Sequence, residues 1–210
     1  MIFKICGLRT KESLLCCEKN NVDFFGMIFY EKSPRNITIS EAKTLISTSK
    51  KLRIRPVGVF VDHEINALKK IITSLSLKHI QLHGSESQSY INQIKNQFDV
   101  KIIKKISINN SKDLNMINKF KNIEYLLFDY KPDYNELPGG NAKSFDWNLL
   151  KDQKIKIPWF ISGGINETNI KNIQNLLNPN GIDLSSGVEV SKGIKSNTKI
   201  NNLLKKFYDN

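Results

Sequence analysis

With 210 residues, 40% of them apolar and 25% charged, the chain is sized for one domain with a real core. It is neither a disordered tail, a collagen-like fibre nor a coiled coil. A net charge of +12 points first to nucleic acid, but 28 Lys stand against 4 Arg, beside 28 Ile and 24 Asn, a bias that AT-rich codons produce. The lysines are also spread along almost every segment, as solvated helix faces are. No nucleic-acid partner is expected.

No stretch approaches the roughly 18 uninterrupted apolar residues of a membrane helix, so no membrane partner is expected. Lys4 breaks the opening apolar run too early for a signal peptide. Cys6, Cys16 and Cys17 are odd in number, and two are adjacent, which makes a poor disulfide set and suggests a reducing, cytoplasmic setting.

In chain order, short β-branched and aromatic runs start near Ile2, Asp23, Arg55, His79, Lys101, Glu124, Pro158 and Gly181. Each spacing fits a strand, a loop, a helix and a return loop. Between them lie amphipathic stripes. Ile65, Leu68, Ile72 and Leu75 mark the third helix. Ser85 and Gln88 can form a capping box ahead of Tyr90, Ile91, Ile94 and Phe98. Asn166 opens a helix bearing Ile170, Ile173 and Leu177, and the last helix carries Ile200, Leu203, Leu204 and Phe207. Pro158 sits at a strand start, where a missing N–H is tolerated. Eight βα units with no linker predict an α/β fold, a single-domain (β/α)8 TIM barrel over residues 1–210. An open doubly wound sheet is the runner-up, but it usually stops at five or six strands.

Barrels gather reacting groups at the C-terminal ends of their strands. Those ends read Lys4-Ile5-Cys6-Gly7, Ser33-Pro34-Arg35, Val57-Gly58-Val59-Phe60, Gln81-Leu82-His83-Gly84, Leu127-Phe128-Asp129, Ser162-Gly163-Gly164 and Asp183-Leu184-Ser185-Ser186-Gly187-Val188-Glu189. Gly163 and Gly164 after the seventh strand, with Ser185, Ser186 and Gly187 after the eighth, offer backbone N–H groups to a phosphate. Ordinary turn chemistry would use the same residues. Arg35 presents a planar fork suited to a carboxylate, although a surface arginine is the plainer alternative.

Alternation sets Lys4 and Cys6 on one strand face, and Leu127 and Asp129 on one face of the sixth strand. Cys6 and Asp129 can therefore look at one another across the mouth. A lone cysteine on a strand is also commonly a small buried hydrophobe. Gln81 and His83 share a face, where either could donate to a sugar or a carboxylate. Asp183 on the neighbouring strand is placed to pair with Lys4 and is counted with the substrate-binding set. His63 and His79 lack ligand spacing, so no metal is expected.

Over almost its full length this set resembles the phosphoribosylanthranilate isomerase family of tryptophan biosynthesis, as does the segment Gly139-Gly140 … Phe145-Asp146-Trp147. The chain departs from the family at Asn141 and Ala142, where Thr-Gly is usual, and at Lys192 and Ser196, where Pro and Asp are frequent.

The resemblance implies an aldose–ketose isomerase that performs an Amadori rearrangement on N-(5-phosphoribosyl)anthranilate, a phosphorylated aminosugar, without a cofactor. Asp129 would protonate the furanose ring oxygen. Such an acid must hold its proton near neutral pH, which a poorly solvated mouth favours. Cys6 as thiolate would remove the proton on C2, and that anion needs positive surroundings such as Lys4. Arg35 would hold the anthranilate carboxylate. A monomer and a homodimer both fit. Other sugar-phosphate barrels, an epimerase or an indole-glycerol-phosphate synthase, would need inward His and Asp or Lys and Glu that these strand ends do not show.

Overall fold

The structure is a computed structural model that describes residues 1–209. Strands β1 (Ile2–Cys6), β2 (Phe24–Phe29), β3 (Arg55–Phe60), β4 (His79–Leu82), β5 (Lys101–Ile108), β6 (Tyr125–Tyr130), β7 (Trp159–Ile161) and β8 (Gly181–Leu184) pair in sequence order into a closed barrel. Each neighbouring pair is parallel, and β8 closes on β1 with Lys4 in register with Asp183. The starts expected at Asp23, Glu124 and Pro158 fall one residue later.

The helices are α1 (Lys11–Lys19), α2 (Ile39–Ser49), α3 (Ile65–Leu75), α4 (Gln88–Lys95), α5 (Asn148–Lys151), α6 (Ile170–Leu176) and α7 (Asn197–Tyr208). Of the expected stripes, Leu68, Ile72 and Leu75 of α3 and Ile200, Leu203, Leu204 and Phe207 of α7 are buried, while Ile65 at the start of α3 is half-buried. The phenyl ring of Phe207 meets Phe3 edge-on at 4.9 Å, so the last helix packs directly on the first strand. Burying each such side chain stabilises the fold by about 1.5–3 kcal/mol.

Three local readings are corrected. Ser85 and Gln88 form no capping box. Ser87 caps α4 by accepting from the Tyr90 N–H at 3.2 Å, while Ser85 donates its N–H and hydroxyl to Asp62 at 2.7 and 2.9 Å. Three polar residues in a row made the cap ambiguous, and the tertiary partner Asp62 decided it. Asn166 opens a turn, accepting from the Thr168 N–H at 2.8 Å, and α6 itself begins at Ile170. The fifth and sixth units are also not full βα units: the fifth carries only a 3-10 helix, Ser111–Met116, and the sixth a four-residue helix, α5, after a long loop.

Past β8 the chain makes a 3-10 turn, Ser186–Val188, and then an antiparallel ribbon of β9 (Glu189–Ser191) and β10 (Ile194–Lys195) before α7. Ser196 caps α7 by accepting from the Lys199 N–H at 3.2 Å. A hydroxyl here does what an Asp carboxylate would do, which accounts for one departure from the family pattern. Lys192 is exposed.

The barrel interior is filled from the closed end upward. Phe24 meets His79 and Phe160 edge-on at 5.2 and 6.4 Å, and Tyr125 meets Phe160 at 5.0 Å. Val57, Val59, Ile103 and Leu127 pack with them, and Cys6 joins the same cluster. Lys4, wholly buried, donates to both carboxylate oxygens of Asp183 at 2.9 Å. Burial opposes its charge, but Asp183 and the Cys6 sulfur outweigh it and hold the Lys4 pKa above the ordinary lysine value.

Removing one partner from a buried pair leaves an uncompensated charge. Lys4→Met should therefore cost about 3–5 kcal/mol in chemical denaturation. A Lys4→Met/Asp183→Leu double variant should recover most of that loss, whereas equal losses in single and double variants would show that the pair is not the cause.

Candidate active site

The strand ends converge on one cleft that encloses about 800 Å³, part of it open to solvent. Ten of the eleven anticipated residues line it: Cys6, Arg35, Gln81, His83, Asp129, Gly163, Gly164, Asp183, Ser185 and Ser186. The eleventh, Gly187, does not. It lies against the Ile165 carbonyl, which a Cβ at that position would strike, so its role is close packing of the loop.

Cys6 ends β1 over Gly26, and a Cβ at Gly26 would come within 2.8 Å of the sulfur. The thiol is only 6% exposed. Burial raises its pKa above the ordinary value, and the ammonium groups of Lys4 and Lys195 only partly offset this. The positive surroundings expected of a thiolate are thus present, but burial outweighs them.

Asp129 ends β6. Its Oδ1 accepts from the Tyr130 N–H at 2.9 Å, and its Oδ2 stands 3.4 Å from Nε2 of His83. The Gln81 amide nitrogen lies 2.8 Å from Nδ1 of His83. Burial and the Lys105 charge lower the His83 pKa, with Asp129 opposing them. A neutral ring that accepts at Nδ1 presents its Nε2–H to Asp129. Gln81 and His83 were expected to reach toward ligand; in the folded chain their first partners are each other and the carboxyl. The Gln81 Oε1 is buried without a protein partner among the described residues.

Arg35 is buried as well. Its Nε and Nη2 hold the two carboxylate oxygens of Glu189, both at 2.8 Å, and Nη2 also donates to the Gly140 carbonyl at 3.3 Å. The parallel fork expected to receive a ligand carboxylate is therefore already engaged. What faces the cover loop is Nη1, against which a Cβ at Gly140 would collide.

That cover loop follows β6, and Leu137, Pro138, Gly139, Gly140, Asn141, Ala142 and Lys143 line the cleft from above. Lys105, buried on β5, donates to the Pro138 carbonyl at 3.2 Å. Asn141 donates its amide to the Leu137 carbonyl at 2.8 Å. Ala142 has φ +58, a left-handed conformation that costs a residue with a Cβ about 1–2 kcal/mol. The departure from Gly at this position is one the backbone would rather not make.

Gly163 and Gly164 have φ of +90 and +64. Among the described residues, no protein acceptor takes the N–H of Gly163, Gly164 or Ser186. Ser185 donates its hydroxyl to the Cys6 carbonyl at 3.2 Å, which joins the turn after β8 to the thiol strand.

Three participants escaped sequence reasoning: Glu189, Lys195 and Lys105. Glu189 stood in a Gly-Val-Glu-Val run with no stated reason to be buried, and two lysines among 28 carry no signal of their own.

Comparison with known proteins gives concordant matches. Residues 3–206 fit the family model described as N-(5'phosphoribosyl)anthranilate (PRA) isomerase. An N-(5'-phosphoribosyl)anthranilate isomerase of Zymomonas mobilis subsp. mobilis is 40% identical over 199 residues, covering 94% of this chain and 93% of that protein. The crystal structure of phosphoribosyl anthranilate isomerase from Thermotoga maritima superposes with a TM-score of 0.85 at 28% identity, over 99% of this chain and 98% of the other. A phosphoribosyl anthranilate isomerase in complex with reduced 1-(o-carboxyphenylamino)-1-deoxyribulose 5-phosphate gives a TM-score of 0.82 at 27% identity, again over 99% and 98%.

The thiol environment has a measurable consequence. A thiol whose pKa is raised is mostly protonated at neutral pH and reacts slowly. Alkylation of Cys6 by iodoacetamide, followed by peptide mass spectrometry, should be slow at pH 7 and accelerate beyond the ordinary thiol range. Rapid reaction at pH 7 would contradict the dominance of burial.

Proposed function

The chain belongs to the N-(5'-phosphoribosyl)anthranilate isomerase family, and from that premise we propose that Cys6 and Asp129 are the base and acid of its reaction. The enzyme converts N-(5'-phosphoribosyl)anthranilate into 1-(2-carboxyphenylamino)-1-deoxyribulose 5-phosphate, a step of tryptophan biosynthesis. It is an intramolecular exchange of oxidation level: the aldose carbon is reduced and its neighbour oxidised, with no net redox change. The observation that carries the assignment of roles is that the thiol of β1 and the carboxyl of β6 line one cleft together with the paired turns after β7 and β8.

The phosphate lies over the N–H groups of Gly163, Gly164, Ser185 and Ser186, where successive amides favour an anion. The anthranilate ring extends under the cover loop toward Arg35, whose Nη1 meets the carboxylate. Asp129, held by the Tyr130 N–H and by His83, delivers its proton to the furanose oxygen. The C1–O bond breaks, and a protonated Schiff base forms.

That cation acidifies the C2 proton and places a further positive charge near the sulfur, beside Lys4 and Lys195. Cys6 releases its thiol proton to solvent against these cations and, as thiolate, takes the C2 proton; the resulting enolamine tautomerises to the ketone. The dry site that opposes the thiolate at rest also strengthens each of these charge–charge interactions. Asp183 acts from behind: it pairs with Lys4 at the edge of the cleft. Three free cysteines suit a reducing cytoplasm.

Each proton transfer is worth about 10²- to 10⁴-fold. Cys6→Ala and Asp129→Asn should each lower kcat by that order with little change in KM, followed as loss of the fluorescence of the anthranilate substrate. Arg35→Met should chiefly raise KM. Turnover near normal in Cys6→Ala would remove the thiol from the mechanism.

A further inference from the structure

The turns after β7 and β8 surround the phosphate with backbone amides but with no formal charge of their own. The charge comes from behind them. Lys195, on β10, has a side chain only 2% exposed, and its ammonium donates to the Ser185 carbonyl at 3.1 Å, to the Ser185 hydroxyl at 3.4 Å and to Glu189 Oε1 at 2.7 Å.

Two features make this more than a buried ion pair. Glu189 is shared: the same carboxylate holds both Nε and Nη2 of Arg35 and accepts from the Gly193 N–H at 3.2 Å. One negative charge thus serves two buried cations, and the cluster keeps a net charge of +1 beside the cleft. The ribbon itself is the second feature. Val190 and Ile194 are 64% and 59% exposed, so the hairpin buries little apolar surface on their account. What it does bury is Glu189 and Lys195, which the turn through Gly193 (φ +87) returns to the back of Ser185.

We propose that Lys195 is a positioning residue for the substrate phosphate, supplying through Ser185 the positive charge that the backbone amides lack. The inference rests on the phosphate site assigned above. It adds a side chain, and the ribbon that carries it, to the binding of one end of the substrate.

A purely structural lysine would steady Glu189, and through it Arg35 and the carboxylate end. A charge at the phosphate turn favours the phosphate and leaves the carboxylate end alone. Binding of inorganic phosphate and of anthranilate to the full chain, measured separately by calorimetry, distinguishes the two. Lys195→Gln keeps a hydrogen-bond donor but removes the charge. It should weaken phosphate about tenfold or more, the effect of one partly screened charge at close range, and leave anthranilate within about twofold. Lys195→Arg should restore most of the phosphate affinity. Equal weakening of both ligands, or of neither, overturns the proposal.

A measurement on the unaltered protein covers the case of a variant that does not fold. In a spectrum with 15N-labelled lysines, the Lys195 side chain should respond to inorganic phosphate and not to anthranilate, and an indifferent Lys195 would overturn the proposal. If phosphate shifts none of the amides of Gly163, Gly164, Ser185 and Ser186, the phosphate site itself is misplaced. If those amides move while Lys195→Gln binds phosphate normally, only the lysine's part falls.

Discussion

A buried charge is costly without a counter-charge, and the pairing of four buried cations with three carboxylates organises the mouth of the barrel. Lys4 is held by Asp183 across the seam where β8 closes on β1. Lys104 on β5 is held by Glu86 at 2.6 Å, and the same carboxylate receives the N–H groups of Asp62 and Gly84. Arg35 and Lys195 share Glu189. Each carboxylate thereby ties a strand end to a loop, or two strands to each other. The loops that carry chemistry are thus positioned by ion pairs, some of whose cations also face the reacting groups.

The same dryness sets the character of the reacting groups. Water would lower the cost of charge at Cys6, but it would also screen Lys4, Lys195 and the cationic intermediate from the sulfur. The site instead keeps a neutral thiol among preplaced cations. His83, kept neutral by burial and by Lys105, can present a single N–H to Asp129, which an imidazolium flanked by lysines would do only at greater electrostatic cost.

The frame was legible in the residues because strands and helices are local patterns. Seven interruptions of β-rich runs predicted eight strands to within one residue, and alternation placed Cys6 and Asp129 on inward faces. The pairing of Lys4 with Asp183 was legible too, since closure of a barrel makes first and last strands neighbours. Glu189, Glu86 and the lysines they hold were not. Arg35 and its partner Glu189 lie 154 residues apart, and in a chain this rich in lysine no single one stands out as buried. The choice of Ser87 over Ser85 as a cap likewise depends on Asp62, a contact from elsewhere in the fold. Local propensity is silent about these.

Gly26 has a consequence of its own. The sulfur of Cys6 occupies the volume that any side chain at Gly26 would claim, so two adjacent strands divide one small compartment between them. The size of the group that β1 can offer to the substrate is set by the emptiness of β2. A bulkier base could be accommodated there by exchange at one position only while the other stays bare, which makes this strand pair, rather than either residue, the unit on which substitution acts.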